Sequence, residues 1–375
     1  MLDRRTLLAR TASAASLLTL ASCAASIADR VEPANSAVKE VGEVRREGLQ
    51  ALKSGSLVQK IAFGSCIDQS KPQPIWDAIL ADKPDLFIFG GDNVYASTQP
   101  WQLDALQSAY RTLAANPGFS QLRKTVPHVA IWDDHDYGLN DGGSEFIHKQ
   151  ASKNAFIDFW QLPDNDPRRS REGLFDALTV GPLGQRVQII LLDARWFRSA
   201  LKVTDQRNAP GKERYLPDSD PAKTLLGAAQ WQWLEAQLRM PADVRLIVSG
   251  VQVIVEGHGW EGWANFPHEQ ARLLDLIQRT QAQGVVFLSG DRHIGALYRH
   301  HVPGRYPLYE LTSSGMTHAW AKAKEAGPNR LGDLVTENHY ASIELDWAKR
   351  QIDLLIKSVQ GQVLRRQTIA LSDLR

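Results

Sequence analysis

The chain has 375 residues, of which 43% are hydrophobic and 23% are charged, and its formal net charge at pH 7 is +1. A chain of this length and composition has enough apolar residues for a large core, which excludes long-range disorder. A net charge near zero supplies no overall field for a polyanionic partner, so no nucleic-acid-binding surface is expected.

The first predicted element is an export signal over residues 1–23. A basic start with the paired Arg4 and Arg5 precedes a weakly apolar stretch rich in small residues, and this pattern resembles a twin-arginine (Tat) signal. The sequence LASC, which ends at Cys23, resembles the bacterial lipobox and predicts lipidation of Cys23. Plain signal-peptide cleavage, which would discard Cys23, is the alternative. We therefore expect an exported protein on the periplasmic side, held to a bacterial membrane by a lipid anchor.

The next segment, residues 24–56, is polar and alanine-rich and is predicted to be a tether. No later stretch approaches the roughly 20 apolar residues of a membrane span. From Leu57 onward, short apolar runs alternate with helical periodicity, which predicts one α/β domain over residues 57–375. The strands are predicted within 57–66, 85–92, 128–135, 187–195, 245–253 and 284–291, and the helices within 72–82, 102–114, 144–160, 227–238 and 267–280.

Two later segments depart from this alternation. The polar segment 198–223 is predicted to be a surface loop over one end of the sheets. Three closely spaced strand-like runs between residues 340 and 371 predict a closing antiparallel meander. The sequence leaves the oligomeric state open.

Chemically active side chains follow four of the predicted strands. They are Cys66 after the first, Asp92 and Tyr95 after the second, Asp133 to Asp136 after the third, and Asp291 to His293 after a late one. Because functional groups in open α/β sheets collect beyond the carboxyl ends of the strands, these clusters are expected to converge on one crevice. Each has an ordinary alternative as a turn residue, a helix cap or a hydrogen-bonded core residue.

The third cluster places the carboxylates of Asp133, Asp134 and Asp136 around the imidazole of His135. Carboxylates held side by side repel one another, so either a cation lies among them or they spread into water. Apart from Cys23, Cys66 is the only thiol in the chain. In an exported protein such a thiol is either buried and inert or functional.

Six motifs give the chain a resemblance to a known family. They are GSC, GDNVY, IWDDHD, LLDARWFR, LSGDRH and WEGWANFPHEQARLL, spread over residues 61–293. These motifs resemble those of the PhoD-like (alkaline phosphatase D) phosphatases of the calcineurin-like metallophosphoesterase superfamily. The resemblance implies a four-layer α-β-β-α sandwich of two mixed sheets. It also implies hydrolysis of a small phosphate mono- or diester by a metal-activated hydroxide.

The resemblance further implies a centre of ferric iron and calcium. Asp92 would bridge the two ions, and the iron would take Cys66, Tyr95 and His293 as further ligands. Asp134 and Asp291 would hold the second ion, for which oxygen-only ligation favours calcium. His135, next to a ligand, is the candidate for stabilising the transition state or protonating the leaving group.

A further set of residues is predicted to orient ligands or contact substrate. This set comprises Asp133, Asp136, Asn140, Arg195, Gln252, His258 and Arg292. For Asp133 and Asp136 ordinary capping is the alternative, and for Arg195 it is a structural pair with Asp193. Trp260 and Trp263 are expected near the substrate as well. Since both indoles are too bulky for close helix packing, the GxGxxG spacing around them does not indicate a dinucleotide site.

Two other functional classes remain open. One is a non-catalytic metal-binding lipoprotein that keeps the same fold. The other is an esterase of this fold that acts on diesters or phospholipids. Hydrolysis of a mono- and a di-nitrophenyl phosphate would discriminate between these possibilities.

Overall fold

Short buried runs become strands in the computed structural model, which describes residues 52–301, 304–325 and 327–375. The predicted export signal, the lipidation site Cys23 and all but the last residues of the predicted tether lie outside the described residues. Among the helices of the described residues, none is both long and apolar enough to cross a membrane.

The strands and helices follow the predicted alternation. The strands are β1 (Lys60–Gly64), β2 (Leu86–Gly90), β3 (His128–Ile131), β4 (Asp176–Val180), β5 (Val187–Leu192), β6 (Lys202–Val203), β7 (Tyr215–Leu216), β8 (Val244–Ser249), β9 (Val285–Ser289), β10 (Gly295–His300), β11 (Leu308–Ser313), β12 (His339–Asp346), β13 (Gln351–Ser358) and β14 (Val363–Ala370). The helices are α1 (Ile75–Asp82), α2 (Leu103–Ala115), α3 (Pro117–Thr125), α4 (Asp134–Tyr137), α5 (Lys149–Trp160), α6 (Gly227–Leu238) and α7 (Pro267–Arg279).

The strands form two mixed six-stranded sheets. The first sheet has the order β14-β13-β12-β1-β2-β3, and the second has the order β10-β11-β9-β8-β5-β4. Parallel strands lie at the centre of the second sheet, and the antiparallel strands β4 and β10 lie at its edges. In the first sheet β1, β2 and β3 are parallel, and β12 to β14 form the predicted antiparallel meander.

Helices cover the outer face of each sheet. In β2, Phe87 and Phe89 pack against Trp76 of α1, with ring centroids 6.1 and 6.3 Å away. In β5, Ile190 shares a core with buried residues of α6 and α7, whereas the next residue, Leu191, shares a core with the first sheet. This period-2 division places the two sheets face to face between helical layers. The predicted four-layer sandwich is thereby confirmed.

The carboxyl ends of the parallel strands meet at one end of the sandwich. The Ser65 hydroxyl, just after β1, donates to the carbonyl of Ser313 at the end of β11 in the other sheet, over 3.2 Å. The Gly290 N–H, after β9, donates to the carbonyl of Gly250, after β8, over 2.9 Å. Side chains that follow strands of both sheets therefore face a common space.

Candidate metal centre

The structure brings together the four residues predicted to hold iron. The Cys66 thiol lies 3.6 Å from Asp92 Oδ2, and the Tyr95 hydroxyl donates to the same oxygen over 3.3 Å. The Tyr95 hydroxyl also lies 3.0 Å from His293 Nε2. Ligand atoms of Cys66, Asp92 and His293 all lie within 4.8 Å of one another. Three strand ends from two sheets thus supply one potential metal site.

The residues predicted to hold the second ion lie beside this group. Ligand atoms of Asp133, Asp134 and Asp291 lie within 4.8 Å of one another, as do those of Asp92, Asp134 and His135. Asp92 therefore belongs to groups on both sides, which is the position required of a bridging ligand. The His135 backbone N–H donates to Asp92 Oδ1 over 3.1 Å and fixes the orientation of that carboxylate.

Unusual backbone conformations hold these side chains in place. Four site residues adopt positive φ angles, namely Cys66 at 63°, Asp92 at 49°, Asp291 at 68° and His293 at 53°. This region is sparsely populated by residues other than glycine, and the strain persists only where the surrounding structure enforces it. Next to Asp92, Gly91 has φ 107°, and a Cβ atom there would lie 2.6 Å from Asp133 Cβ.

The oxygen-rich part of the centre is chemically suited to a cation. Among the described residues, the buried atoms Asp133 Oδ2 and Asp134 Oδ1 have no hydrogen-bond partner. A buried carboxylate oxygen without a donor is costly unless a positive charge compensates for it. Thiolate, phenolate and imidazole donors suit a transition metal, whereas carboxylates alone suit a harder ion. The residues present therefore fit the two-ion centre that the resemblance implies.

Protons compete with metal for these groups. Burial, and then the charges of Asp134 and Asp133, raise the pKa of Asp92 well above its usual range. Burial, and then the charge of Asp92, likewise raise the pKa of the Cys66 thiol. A bound cation stabilises the ionised forms and so reverses both effects. Metal affinity at this centre should consequently fall steeply in acid.

Asp136 is held by hydrogen bonds rather than by solvent. Its carboxylate accepts from the backbone N–H of Asp133 over 2.7 Å and from Asn93 Nδ2 over 2.6 Å. These contacts tie the start of α4 to the loop after β2. They give Asp136 the capping role that the sequence offered as the alternative, and its role in orienting metal ligands stays a prediction.

Arg195 is fully buried behind the centre. Its Nε donates to Asp133 Oδ1 over 2.6 Å, and its Nη1 donates to Glu261 Oε2 over 2.7 Å. The anticipated pairing with Asp193 takes another form, since Asp193 Oδ1 accepts from the backbone N–H of Arg195 over 2.9 Å. Arg195 thereby orients Asp133, whose ligand atoms lie within 4.8 Å of those of Asp134 and Asp291.

The remaining predicted residues divide into two sets. Gln252 and His258 hydrogen-bond to each other over 2.9 Å, and Gln252 Nε2 also donates to Thr312 over 3.0 Å. Trp263 is buried and donates to the Ser249 hydroxyl over 3.1 Å. In contrast, Asn140, Trp260 and Arg292 line a cavity of about 510 Å³ above the centre.

The same cavity exposes residues that the sequence did not single out. They are Asp141, Arg207, Arg214, Glu261 and Trp320. Asp141, Glu261 and Asp291 form one more group whose ligand atoms lie within 4.8 Å. The Tyr215 hydroxyl donates to Asp141 Oδ2 over 2.6 Å and so ties the predicted loop 198–223 to the site. Glu261 stands in the quoted motif WEGWANFPHEQARLL, which is the signal that could have identified it.

Comparison with known proteins gives concordant matches. The family model described as PhoD-like phosphatase matches residues 61–339. Alkaline phosphatase D of Bacillus subtilis (strain 168) is 24% identical over 267 residues, which span 64% of this chain but only 42% of that protein. A solved structure of PhoD covers 84% of this chain and 69% of its own, with 18% identity and a TM-score of 0.61. A purple acid phosphatase from yellow lupin (Lupinus luteus) seeds covers 86% and 55%, with 13% identity and a TM-score of 0.55. At such identities the structural matches show the fold alone.

Proposed function

The chain belongs to the PhoD-like phosphatase family, and on that premise we propose that it is a metal-dependent phosphoric ester hydrolase. The observation that carries the proposal is the convergence of Cys66, Asp92, Asp134, Asp291 and His293 beneath one open cavity. Every position where the resemblance implies a metal ligand holds a side chain that can ligate.

We propose ferric iron and calcium as the resident ions. Cys66, Tyr95 and His293 offer the softer donors that favour iron, whereas Asp134 and Asp291 offer only oxygen, which favours calcium. When bound, such ions would supply Lewis acidity to the phosphoryl group and to the attacking water.

His135 is the proposed proton donor to the leaving oxygen. Its Nδ1 lies 2.7 Å from the Ser97 hydroxyl, so that Nε2 is the atom left to carry the transferred proton. Its ring lies 4.1 Å from the Tyr95 ring, which restrains the imidazole from its other side. A positioned acid of this kind contributes about 10²–10⁴-fold to a rate.

We also propose that the protein is exported and lipid-anchored through Cys23. The twin-arginine pair and the sequence LASC support this proposal. Mass spectrometry of the amino-terminal peptide from membrane fractions should find acyl chains on Cys23. Cys23→Ser should release the protein into the soluble fraction. An unmodified amino terminus beyond Cys23 would favour plain signal cleavage instead.

The hydrolase proposal is tested by metal content and turnover measured on the same protein. Hydrolysis of mono- and bis-nitrophenyl phosphate is assayed alongside elemental analysis of protein that cells exported folded. Cys66→Ser, Asp92→Asn and Tyr95→Phe should lose iron and at least about 100-fold in activity together. His135→Ala should lose activity with its iron retained. If all four variants kept wild-type turnover, the site assignment would be wrong. Metal binding without turnover on either ester would favour the non-catalytic lipoprotein.

A further inference from the structure

The rim of the cavity differs in chemistry from its acidic floor. We define the rim as five residues that line the cavity, namely Arg207, Arg214, Trp260, Arg292 and Trp320. Arginine stays protonated and the indole N–H only donates, so none of the five residues offers a metal ligand. Aromatic rings and guanidinium groups together suit recognition of the part of an anionic ester that does not react.

Trp260 is already engaged on its ring. The guanidinium carbons of Arg214 and Arg292 lie over it, 4.6 and 4.5 Å from the ring centroid. The Trp320 ring meets Trp260 edge to face, with centroids 5.6 Å apart and planes at 84°. Trp260 therefore acts as a support for the Trp320 ring.

Trp320 is fixed by the backbone but open at its side chain. Its backbone N–H donates to the carbonyl of His293 over 2.6 Å, and the preceding N–H, of Ala319, donates to Asn338 Oδ1 over 2.8 Å. The residue is nevertheless 38% exposed. An indole that is partly exposed in the cavity lining, and whose backbone is tied to a proposed metal ligand, is available to a ligand.

We propose that Trp260 and Trp320, the aromatic part of the rim, form a leaving-group subsite for phosphate esters whose alcohol carries a planar aromatic ring, with nucleotides as the substrate class, and that Trp320 is its stacking platform. This inference rests on the proposed function, which places the phosphate at the floor. Every nucleobase has a π-face, and removal of one stacking aromatic typically weakens binding by about 5- to 150-fold. Glycerol phosphate offers the same reacting group without a ring and should gain nothing from Trp320.

Arg207, also in the rim, is expected to act through its charge rather than by stacking. It is an exposed cation on the 198–223 segment, and its field acts on any anionic ester regardless of the leaving group. Loss of Arg207 should therefore lower kcat/KM for nucleotide and glycerol esters alike. Loss of the Trp320 ring should lower the ratio of kcat/KM for the nucleotide to kcat/KM for the glycerol ester.

The test compares adenosine 5′-monophosphate with glycerol 3-phosphate on the metal-loaded mature protein. Trp320→Ala should lower kcat/KM for the nucleotide by about tenfold and for the glycerol ester by less than twofold. Trp320→Phe should keep most of the wild-type preference for the nucleotide over the glycerol ester, because a phenyl ring also stacks. Arg207→Ala is the matched control, and it should leave the ratio unchanged. An equal effect of Trp320→Ala on both esters would overturn the subsite.

A binding measurement separates this inference from the proposed function. Calorimetric titration of the His135→Ala protein with each ester reports affinity without turnover. If neither ester is hydrolysed by the wild-type protein but the nucleotide binds about tenfold more tightly through Trp320, the subsite stands and the hydrolase proposal falls. If the wild-type protein hydrolyses both esters, and the two esters bind with equal affinity whether or not Trp320 is present, the hydrolase proposal stands and the subsite falls.

Discussion

At the scale of single residues, the buried carboxylates that the proposed function requires should lower the free energy of unfolding of the metal-free protein. Without a cation, burial and the neighbouring carboxylates make ionisation of Asp92 unfavourable in the folded state, where its backbone is left-handed. Asparagine tolerates that conformation and cannot ionise in either state. We therefore expect Asp92→Asn to raise the free energy of unfolding of the metal-free protein by about 1–2 kcal/mol while activity is lost. Urea unfolding after chelation measures this, with Asp158→Asn on the exposed face of α5 as the control. A destabilised Asp92→Asn protein would show that burying Asp92 does not reduce the stability of the metal-free fold.

The same carboxylates predict how the stability of the metal-free protein depends on pH. Burial raises the pKa of Asp133 to about 7, against the opposing charge of Arg195, and raises that of Asp136 to about 8. Both values exceed the ordinary value of about 3.9, so the folded state binds more protons than the unfolded state between these limits. Protonation of Asp133 and Asp136 therefore makes its full contribution to the free energy of unfolding below about pH 4. This contribution is lost as the pH rises through 7 and 8.

The measurement uses urea unfolding between pH 7 and 8.5, the range that contains the raised pKa values of Asp133 and Asp136. The free energy of unfolding of chelated protein should fall across this range. Metal-loaded protein should show a weaker or opposite slope, because the ions require ionised ligands. Stability of the chelated protein that rises with pH would show that the cluster is ionised without metal.

At the scale of elements, one glycine determines where the β6–β7 hairpin lies. The Gly259 carbonyl accepts from the backbone N–H groups of Arg214 and Tyr215 over 2.8 and 2.7 Å. A Cβ atom on Gly259 would lie 2.5 Å from the Glu213 backbone nitrogen and 2.6 Å from Lys212 Cα. Gly259→Ala must therefore push the hairpin away from the cavity.

We expect Gly259→Ala to lower kcat/KM for phosphate esters by about 10- to 100-fold, because small displacements at a site have large kinetic effects. Its iron content should be unchanged, since no proposed ligand lies on the hairpin. Gly55→Ala is the control, because a Cβ atom there meets nothing within 4 Å. Unaltered kinetics in Gly259→Ala would show that the hairpin does not position the substrate.

Most elements could be predicted from sequence, and those that could not have physical reasons. The six predicted strands and five predicted helices all occur. Strand β11 was missed because its buried Glu310 is an unlikely core residue in isolation. In the fold, Glu310 accepts from the backbone of Val253 and Ile254 and from Ser289, which are distant in sequence. Helix α3 was missed because it begins with Pro117 and Gly118, a pair that indicates a turn, although Asn116 caps it.

The site could be predicted as far as strand ends and motifs allowed. Residues directly after apolar strands were predicted to converge, and the structure places them together. Asp141 and Glu261 were not singled out because their environment depends on distant partners, such as Tyr215 for Asp141 and Arg195 for Glu261. Arg207 and Trp320 stand in irregular segments, where no periodicity indicates what a side chain faces.

At the scale of the whole molecule, the proposed ions would join the two sheets. Cys66, Asp92 and Asp134 follow strands of the first sheet, whereas Asp291 and His293 follow β9 of the second. Bound ions would therefore add to the apolar core as a link between the layers. An ion present at 100 times its dissociation constant stabilises a fold by about 2.7 kcal/mol.

Chelation should lower the melting temperature and open both sheets at the same end. Amide hydrogen exchange should increase together after β1, β2, β3 and β9, because loss of a shared ion releases ligands on both sides. Strands β13 and β14, which supply no ligand, are the internal control and should keep their protection. A calcium-selective chelator should produce the same two-sided pattern, since Asp134 and Asp291 also belong to different sheets. Increased exchange confined to one sheet would show that the ions do not bridge the layers, and the assignment of ligands to both sheets would then be wrong.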